Sequence, residues 1–343
     1  MAGGPNTPEM VAAVSNTGGL GSLGAEYLSP AQIEKDVVRI RQLTQRPFAV
    51  NLFSPDADQP LAGDFPAVAA FLRPIHERLS IAPPEPPTSP GENFDEQLET
   101  LIRLQVPVIS STLGLFSAEW MERLKRKNMY VIGTATTVDE AKLLADSGVD
   151  AITAQGSEAG GHRGTFAIDA DQALIGTMAL VPQVVDAVKV PVLAAGGIMD
   201  GRGIVAALSL GAVAAQMGTA FLACDESGAN PAYREALVAA HEDQTTVTRA
   251  FSGRAARGLR NEFIDRWNQS GLTPMSFPWH NTLTRAMRRA GASGKNSSVQ
   301  SLWAGQGIRM LRQGSATKIM NELKQEVVEA LEAARERLPL ALQ

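Results

Sequence analysis

The sequence is poor in the residues that would tie it to an oxidising compartment, a membrane or a nucleic acid. Cys224 is the one cysteine in 343 residues, so no internal disulfide can form. The opening MAGGPNTPEM has no basic n-region, and its apolar residues are broken by glycine and proline, unlike a secretory leader. Together these predict a reducing, cytoplasmic setting. No apolar run approaches the ~20 residues that span a bilayer. The 31 basic and 36 acidic residues, net −5, are mixed along the chain without a block of one sign. That excludes a nucleic-acid arm or a polybasic membrane anchor and leaves a small molecule as the expected partner. Histidine is scarce, at four, with no second histidine or paired carboxylate at ligand spacing, so no metal is expected. No GxSxG elbow or Cys/His pairing supports acyl transfer.

What is present is the rhythm of a parallel α/β protein, with 44% hydrophobic residues to build a core. Apolar runs at 20–25, 47–53, 106–112, 129–135, 149–156, 191–197 and 212–219 predict seven strands, with helical segments between them. Ser29 with Gln32, and Thr137 with Glu140, read as capping boxes, and Gly148 as a left-handed helix stop. One more helix, TPEMVAAVSNTG, precedes the first run without a strand of its own. Seven strands after an orphan helix predict a TIM-type (β/α)8 barrel whose first strand lies upstream of Met1, with MAGG as the loop ending it. An open doubly wound sheet is the alternative.

Two segments depart from this rhythm. Residues 55–93, with APPEPPTSPGEN, read as an excursion near the barrel mouth. Beyond Leu222 the rhythm ends, and residues 223–314 predict a small, mostly helical cap or substrate domain on a 1–222 barrel. The segment 315–338, apolar at Met320, Leu323, Val327, Leu331, Ala334 and Leu338, predicts an amphipathic helix that packs back.

Barrel chemistry sits at the carboxyl ends of the strands, so the residues just after each run are the candidates. Gly196, Gly197, Gly218 and Thr219 follow the last two runs, where glycine turns and a following helix N-terminus commonly hold a phosphate; tight turns alone are the other reading. The loop AQGSEAGGHRG gathers Gln155, Glu158, His162 and Arg163 around glycines. His162, with an ordinary pKa near ~6.5, is the candidate proton acceptor. His76, in an ordinary helical pattern, reads as structural. Asn51 ends a buried run and reads either as a partner for a flat heterocycle or as a local cap.

Taken together, MAGG, SNTGGLGSLGAEYLSP, RPFAVNLF, AQGSEAGGHRG, AAGGI, QMGTAFL, FSGRAARGLRNEF and SLWAGQG resemble, in order and over nearly the whole chain, the nitronate monooxygenases. The resemblance implies non-covalent FMN, with Met1, Ala2 and Gly3 beside the ring, Asn51 and Gln155 hydrogen-bonding it, and Gly160 and Gly161 along its edge. Ala195, Gly196, Gly197, Gln216, Gly218 and Thr219 would surround the ribityl phosphate, and the catalytic histidine falls on His162. The implied reaction oxidises an alkyl nitronate such as propionate 3-nitronate, or a nitroalkane, with O2 through a flavin semiquinone to a carbonyl compound and nitrite. The chain would work as a monomer or homodimer. Ser111 and Thr112 stand where relatives often carry an aromatic residue and a histidine. Trp279, beside His280, falls in a segment that contributes to the substrate wall in relatives and reads either as that wall or as cap core. Lys295, in a Gly/Ser-rich loop, reads either as a cation that attracts an anionic substrate or as a solvated loop lysine. The competing activities are an NAD(P)H-dependent enoyl-thioester or quinone reductase and a non-catalytic FMN- or phosphometabolite-binding barrel.

Overall fold

The structure is a computed structural model that describes residues 3–54 and 60–337. Its centre is a curled sheet of seven parallel strands in chain order: β1 (Gly21–Gly24), β2 (Phe48–Phe53), β3 (Val108–Thr112), β4 (Tyr130–Ala135), β5 (Ala151–Gln155), β7 (Val192–Ala195) and β8 (Ala214–Gln216). The two-residue β6 (Gly161–His162) leaves this sheet for another. All seven apolar runs are strands, as expected, and β1 and β8 are the edges of the sheet.

Side-chain alternation sorts each strand into two faces. Outward residues such as Leu23, Val50, Leu52, Ile109, Val131, Ile152 and Ala194 join the main core under the flanking helices. Inward residues Ala49, Val108, Ile132 and Ala151 fill the barrel interior with Leu193. The flanking helices are α1 (Pro8–Asn16), α2 (Pro30–Leu43), α4 (Phe94–Arg103), α5 (Ala118–Arg126), α6 (Val138–Asp146), α7 (Thr177–Ala187) and α8 (Gly201–Ser209). α3 (Phe65–Arg78) lies in the stretch whose prolines read as an excursion. A helix starts at Phe65 because the Asp64 side chain caps it, accepting from Ala67 N, and Pro66 fits its first turn.

The expected caps form only by half. Ser29 accepts from Gln32 N (3.3 Å), but the Gln32 side chain turns to Asp36 Oδ1 (2.7 Å). Thr137 accepts from Glu140 N (3.2 Å), while the fully buried Glu140 carboxylate accepts from Thr136 N and Oγ1 (both 2.7 Å), Phe166 N (2.6 Å) and Ala167 N (3.0 Å). Glu140 thus pins the segment after the glycine-rich loop.

Past β8 come α9 (Pro231–Ala239), β9 (Thr245–Thr248), β10 (Ala256–Leu259), α10 (Glu262–Ser270), α11 (Trp279–Leu283) and α12 (Arg285–Ser293). β6, β10 and β9 form a three-stranded antiparallel sheet, so the barrel loop pairs directly with the cap. The cap core joins Phe251, Phe263, Ile264, Trp267 and Met287 to Val68, Leu72 and Ile75 of α3. The last helix, α13 (Ala316–Arg337), buries Ala316, Ile319 and Leu323 against Met10 of α1 and Met199, whereas Leu331 of the expected stripe is 54% exposed.

Glu140→Ala would leave the buried Thr136 N and the less buried Phe166 N and Ala167 N without their acceptor. The expected cost is about 3 kcal/mol, read as a lower urea midpoint at unchanged m-value; Glu140→Gln should cost less.

Candidate active site

At the carboxyl ends of the strands the inward alternation places polar side chains. Asn51 Nδ2 donates to Ser110 O (3.2 Å), Ser110 Oγ (3.0 Å) and Thr112 Oγ1 (3.2 Å). Ser110 and Thr112 therefore share the inner face with Asn51. Ser111 does not: its side chain is on the other face, 1% exposed, and so lies outside the pocket that the sequence assigned it to. Gln216 is exposed at the end of β8 and accepts from Thr153 Oγ1 (3.0 Å) through its carbonyl oxygen, which leaves its amide N–H groups available.

The loop from Gln155 to Gly164 is held by its own polar residues. Gln155 Nε2 donates to His162 O (3.0 Å) and its Oε1 accepts from Gly164 N (2.8 Å), so this carboxamide first closes the loop. Arg163, 1% exposed, donates to the carbonyls of Gly156 (2.6 Å), Gln155 (2.9 Å) and Ala173 (3.3 Å). Burial pulls its pKa down to about 10, and Arg257 adds to the shift. Glu158 accepts from Thr177 N (2.9 Å) and Oγ1 (2.8 Å) and caps α7. Of the loop's four notable polar residues Glu158 and Arg163 are spent on holding backbone, while His162 keeps a free ring nitrogen and Gln155 a second amide N–H.

His162 stands on β6 opposite Ala256 of β10. Its ring meets Phe53 (5.4 Å between centroids), Trp303 (5.6 Å) and Phe277 (5.8 Å). Its Nε2 lies 2.9 Å from Ser252 Oγ. The Ser252 hydroxyl donates to Arg254 O (3.0 Å), so its oxygen accepts from the ring, which assigns the proton to Nε2 and the lone pair to Nδ1. Burial pushes the His162 pKa down to about 3, with the charges of Arg254 and Arg288 adding to it. The sequence did not single out Ser252, Phe53, Phe277 or Trp303. RPFAVNLF, FSGR and SLWAGQG contain three of them, yet nothing in those strings says they meet the histidine.

Gly161 has φ +79° and open space where a Cβ would stand, whereas a Cβ on Gly160 would meet the backbone of Ala304 and Gly305 at 2.6 Å. Gly161 thus faces the mouth, and Gly160 is a packing glycine. Gly196 and Gly197 turn left-handed after β7, at φ +116° and +70°. The helix N-terminus expected to bind phosphate there is taken: α8 is capped by Asp200 Oδ1 on Gly203 N (3.1 Å) and by Glu326 Oε2 on Gly201 N (3.0 Å). After β8, by contrast, Gly218 opens a single turn, Thr219–Phe221, whose first N–H groups precede its own hydrogen bonds. Thr219 Oγ1 accepts from Gly305 N (2.9 Å) and keeps its own proton to donate. A polar floor, an open glycine edge and free donors after β8 fit a flat heterocycle with a phosphate tail.

The remaining expected residues scatter. Met1 and Ala2 lie outside the described residues; Gly3 sits beside the Tyr27 ring, 3.8 Å from where its Cβ would be. Ala195 ends β7 on the inner face. Trp279 packs on the cap core, and Lys295 is exposed beyond the carboxyl end of α12. His280 is fully buried, accepting from Met275 N (3.3 Å) and donating to Ala250 O (2.9 Å). Burial pushes its pKa down to about 4. Among the described residues no cluster of histidine, cysteine and carboxylates could hold a metal, and no helix is long and apolar enough to cross a membrane.

The sequence model of the nitronate monooxygenase family matches residues 1–326. A probable nitronate monooxygenase of Staphylococcus aureus is 42% identical over 325 residues, 94% of this chain and 92% of its own. Among solved structures, nitroalkane oxidase from Streptomyces ansochromogenes is 40% identical with a TM-score of 0.90, covering 97% of this chain and 95% of its own. FabK from Thermotoga maritima is 30% identical with a TM-score of 0.77, covering 98% and 94%. With its curled parallel sheet and a histidine presented at the strand ends, the chain belongs to the nitronate monooxygenase family, a family of oxidoreductases acting on nitronates and nitroalkanes.

Proposed function

We propose that the protein is an FMN enzyme that oxidises alkyl nitronates, propionate 3-nitronate among them, or nitroalkanes, with O2 to a carbonyl compound and nitrite. The observation that carries this reading is His162: neutral, its Nε2 proton fixed by Ser252, its Nδ1 lone pair free, and set among three aromatic rings at the mouth. When bound, FMN would supply the redox chemistry. Gly196, Gly197, Gly218, Thr219 and Gln216 would hold its phosphate tail. Asn51, Ser110, Thr112, Gln155 and Gly161 would meet its ring, with Gly3 and Ala195 at the margins. Residues 1–222 with α13 would form the cofactor half, and 223–314, joined by α3, the cap over it.

The chain's own part is proton handling and exclusion of water. A neutral nitroalkane gives up its α-proton to Nδ1, and the imidazolium so formed is paired with the nitronate it has made. A substrate that arrives as a nitronate needs no such step. Phe53, Phe277 and Trp303 hold the ring and keep bulk water from it. A pKa near 3 makes free His162 a weak base, so preformed nitronates are favoured over neutral nitroalkanes.

Anaerobic mixing of the flavin-loaded protein with ethylnitronate should change the visible flavin spectrum within seconds, and NADH should not. The opposite pattern would support the NAD(P)H-dependent reductase alternative that the sequence left open. Absence of a flavin-loaded protein after reconstitution with FMN would overturn both. His162→Asn should lower kcat/KM for nitroethane by about 100-fold or more and that for ethylnitronate by less than about tenfold. Equal losses would remove His162 from the base role.

Stability should also depend on pH in two opposed ways. His162 and His280 stay neutral in the fold, with pKa values below the ordinary 6.5. Their contribution is full above pH 6.5 and lost as the pH falls toward 4 and 3, because the unfolded chain takes up those protons first. Burial raises Glu26 from 4.5 to about 8, so its contribution is full below 4.5 and lost as pH rises to 8. Glu26→Gln should therefore raise Tm at pH 8 and leave it nearly unchanged at pH 4.5; the same shift at both would deny the burial effect.

A further inference from the structure

Arg288 is a cation with no carboxylate opposite it among the described residues. It lies one turn into α12, where its N–H bonds Thr284 O (3.1 Å). Its Nη2 reaches back to Asn281 O (2.6 Å) and Oδ1 (2.8 Å). Both acceptors are neutral, and among the described residues no carboxylate pairs with Arg288. Its Nε–H is sealed from solvent without an acceptor. A guanidinium turned inward this way bears a desolvation cost that only an anion offsets. Burial pulls its pKa down to about 10, and the neighbouring cations Arg285 and Arg289 add to the shift.

Geometry places this cation at the mouth. Thr284, at the head of α12, donates to Phe251 O (2.5 Å), and the next residue, Ser252, holds His162. Phe277, just before α11, packs on the same histidine. The Arg288 charge bears on both His162 and the Tyr27 phenol. Lys295, the lysine assigned this task from the sequence, is exposed beyond the far end of the helix.

We propose that Arg288 is the specificity residue that makes this pocket prefer the nitronate anion over its neutral nitroalkane, by supplying the charge that a planar –NO2⁻ group neutralises. The proposal rests on the nitronate reading above. Asn281 fixes one edge of the guanidinium, which leaves the remaining N–H groups to turn to the anion. A neutral nitroalkane leaves the cation uncompensated and gains nothing from it. The preference is then built from two parts: His162 is a weak base, and Arg288 favours a substrate that has already lost its proton.

The test separates anion binding from turnover. Sodium nitrate, a planar anion with the same O–N–O geometry, is titrated calorimetrically into flavin-loaded parent, Arg288→Gln and Arg288→Lys at constant ionic strength. The parent should bind nitrate, Arg288→Gln about tenfold or more weakly, and Arg288→Lys within about threefold of the parent. In steady state Arg288→Gln should raise KM for ethylnitronate about tenfold or more while kcat and the KM for nitroethane stay within about twofold. Equal nitrate affinity in parent and Arg288→Gln overturns the proposal, as does an equal loss in both variants or an equal loss on both substrates. A parent that binds nitrate through Arg288 but turns over neither nitro compound sinks the nitronate reading and leaves the anion site standing.

Discussion

The two-residue ladder between Gly161–His162 and Ala256–Arg257 is the joint on which the site depends. His162 belongs by sequence to the barrel and by hydrogen bonding to the cap sheet. Everything that fixes its ring, from Ser252 to Phe277 and Trp303, lies in or after the cap, apart from Phe53 on β2. Arg163 and Arg257 reinforce the joint from both sides, Arg163 N on Ala255 O (2.9 Å) and Arg257 Nε on Ser157 O (2.8 Å). A shift of the cap would therefore move His162 itself. A loop of glycines, flexible alone, becomes a rigid mount once its backbone has partners in another sheet.

Much of the fold was legible in the sequence because strand burial writes itself as apolar runs. The seven runs, the orphan helix with Thr7 on Met10 N (3.1 Å) and the stop at Gly148 all lie where the pattern put them. Face and partner were not legible. Ser111 and Ser110 differ by one position and therefore by a whole face, and only the register with Asn51 decides between them. The capping boxes formed only by half for two reasons: Gln32 found Asp36 one turn on, and Glu140 found Thr136 beside it and Phe166 N and Ala167 N across the barrel end, the last a tertiary choice that local spacing cannot encode. The cap on the N-terminus of α8 was not legible either, because Glu326 comes from α13, 125 residues away.

The site was legible as a loop and a histidine, and illegible as an environment. His162 carries the same letter as His76 and His280, yet both of these are tethered in apolar surroundings, His76 through Nδ1 to Ala82 O (2.6 Å) and His280 through both nitrogens. What separates His162 is where its left-over nitrogen lies: Nδ1 stands at the strand ends among three aromatic rings, whereas the unpartnered Nε2 of His76 is buried on α3. Sequence spacing suggested an exposed lysine for charge recognition because Lys295 sits in a Gly/Ser-rich stretch. The fold instead turns Arg288 inward, although its string, TRAMRRA, reads as an ordinary solvated helix face.

The buried charges around the mouth then form one balance. Burial first, and then the charges of Arg254 and Arg288, keep the His162 imidazole neutral, while burial keeps the Glu26 carboxyl protonated against the pull of Arg285. In this arrangement Arg288 is costly, since it is desolvated with no carboxylate beside it among the described residues. An anion entering the mouth relieves that cost in proportion to its charge and raises the basicity of His162 at the same time. Selectivity and proton affinity are thereby coupled through a single field: the group that the pocket attracts is the one that prepares its histidine to hold a proton.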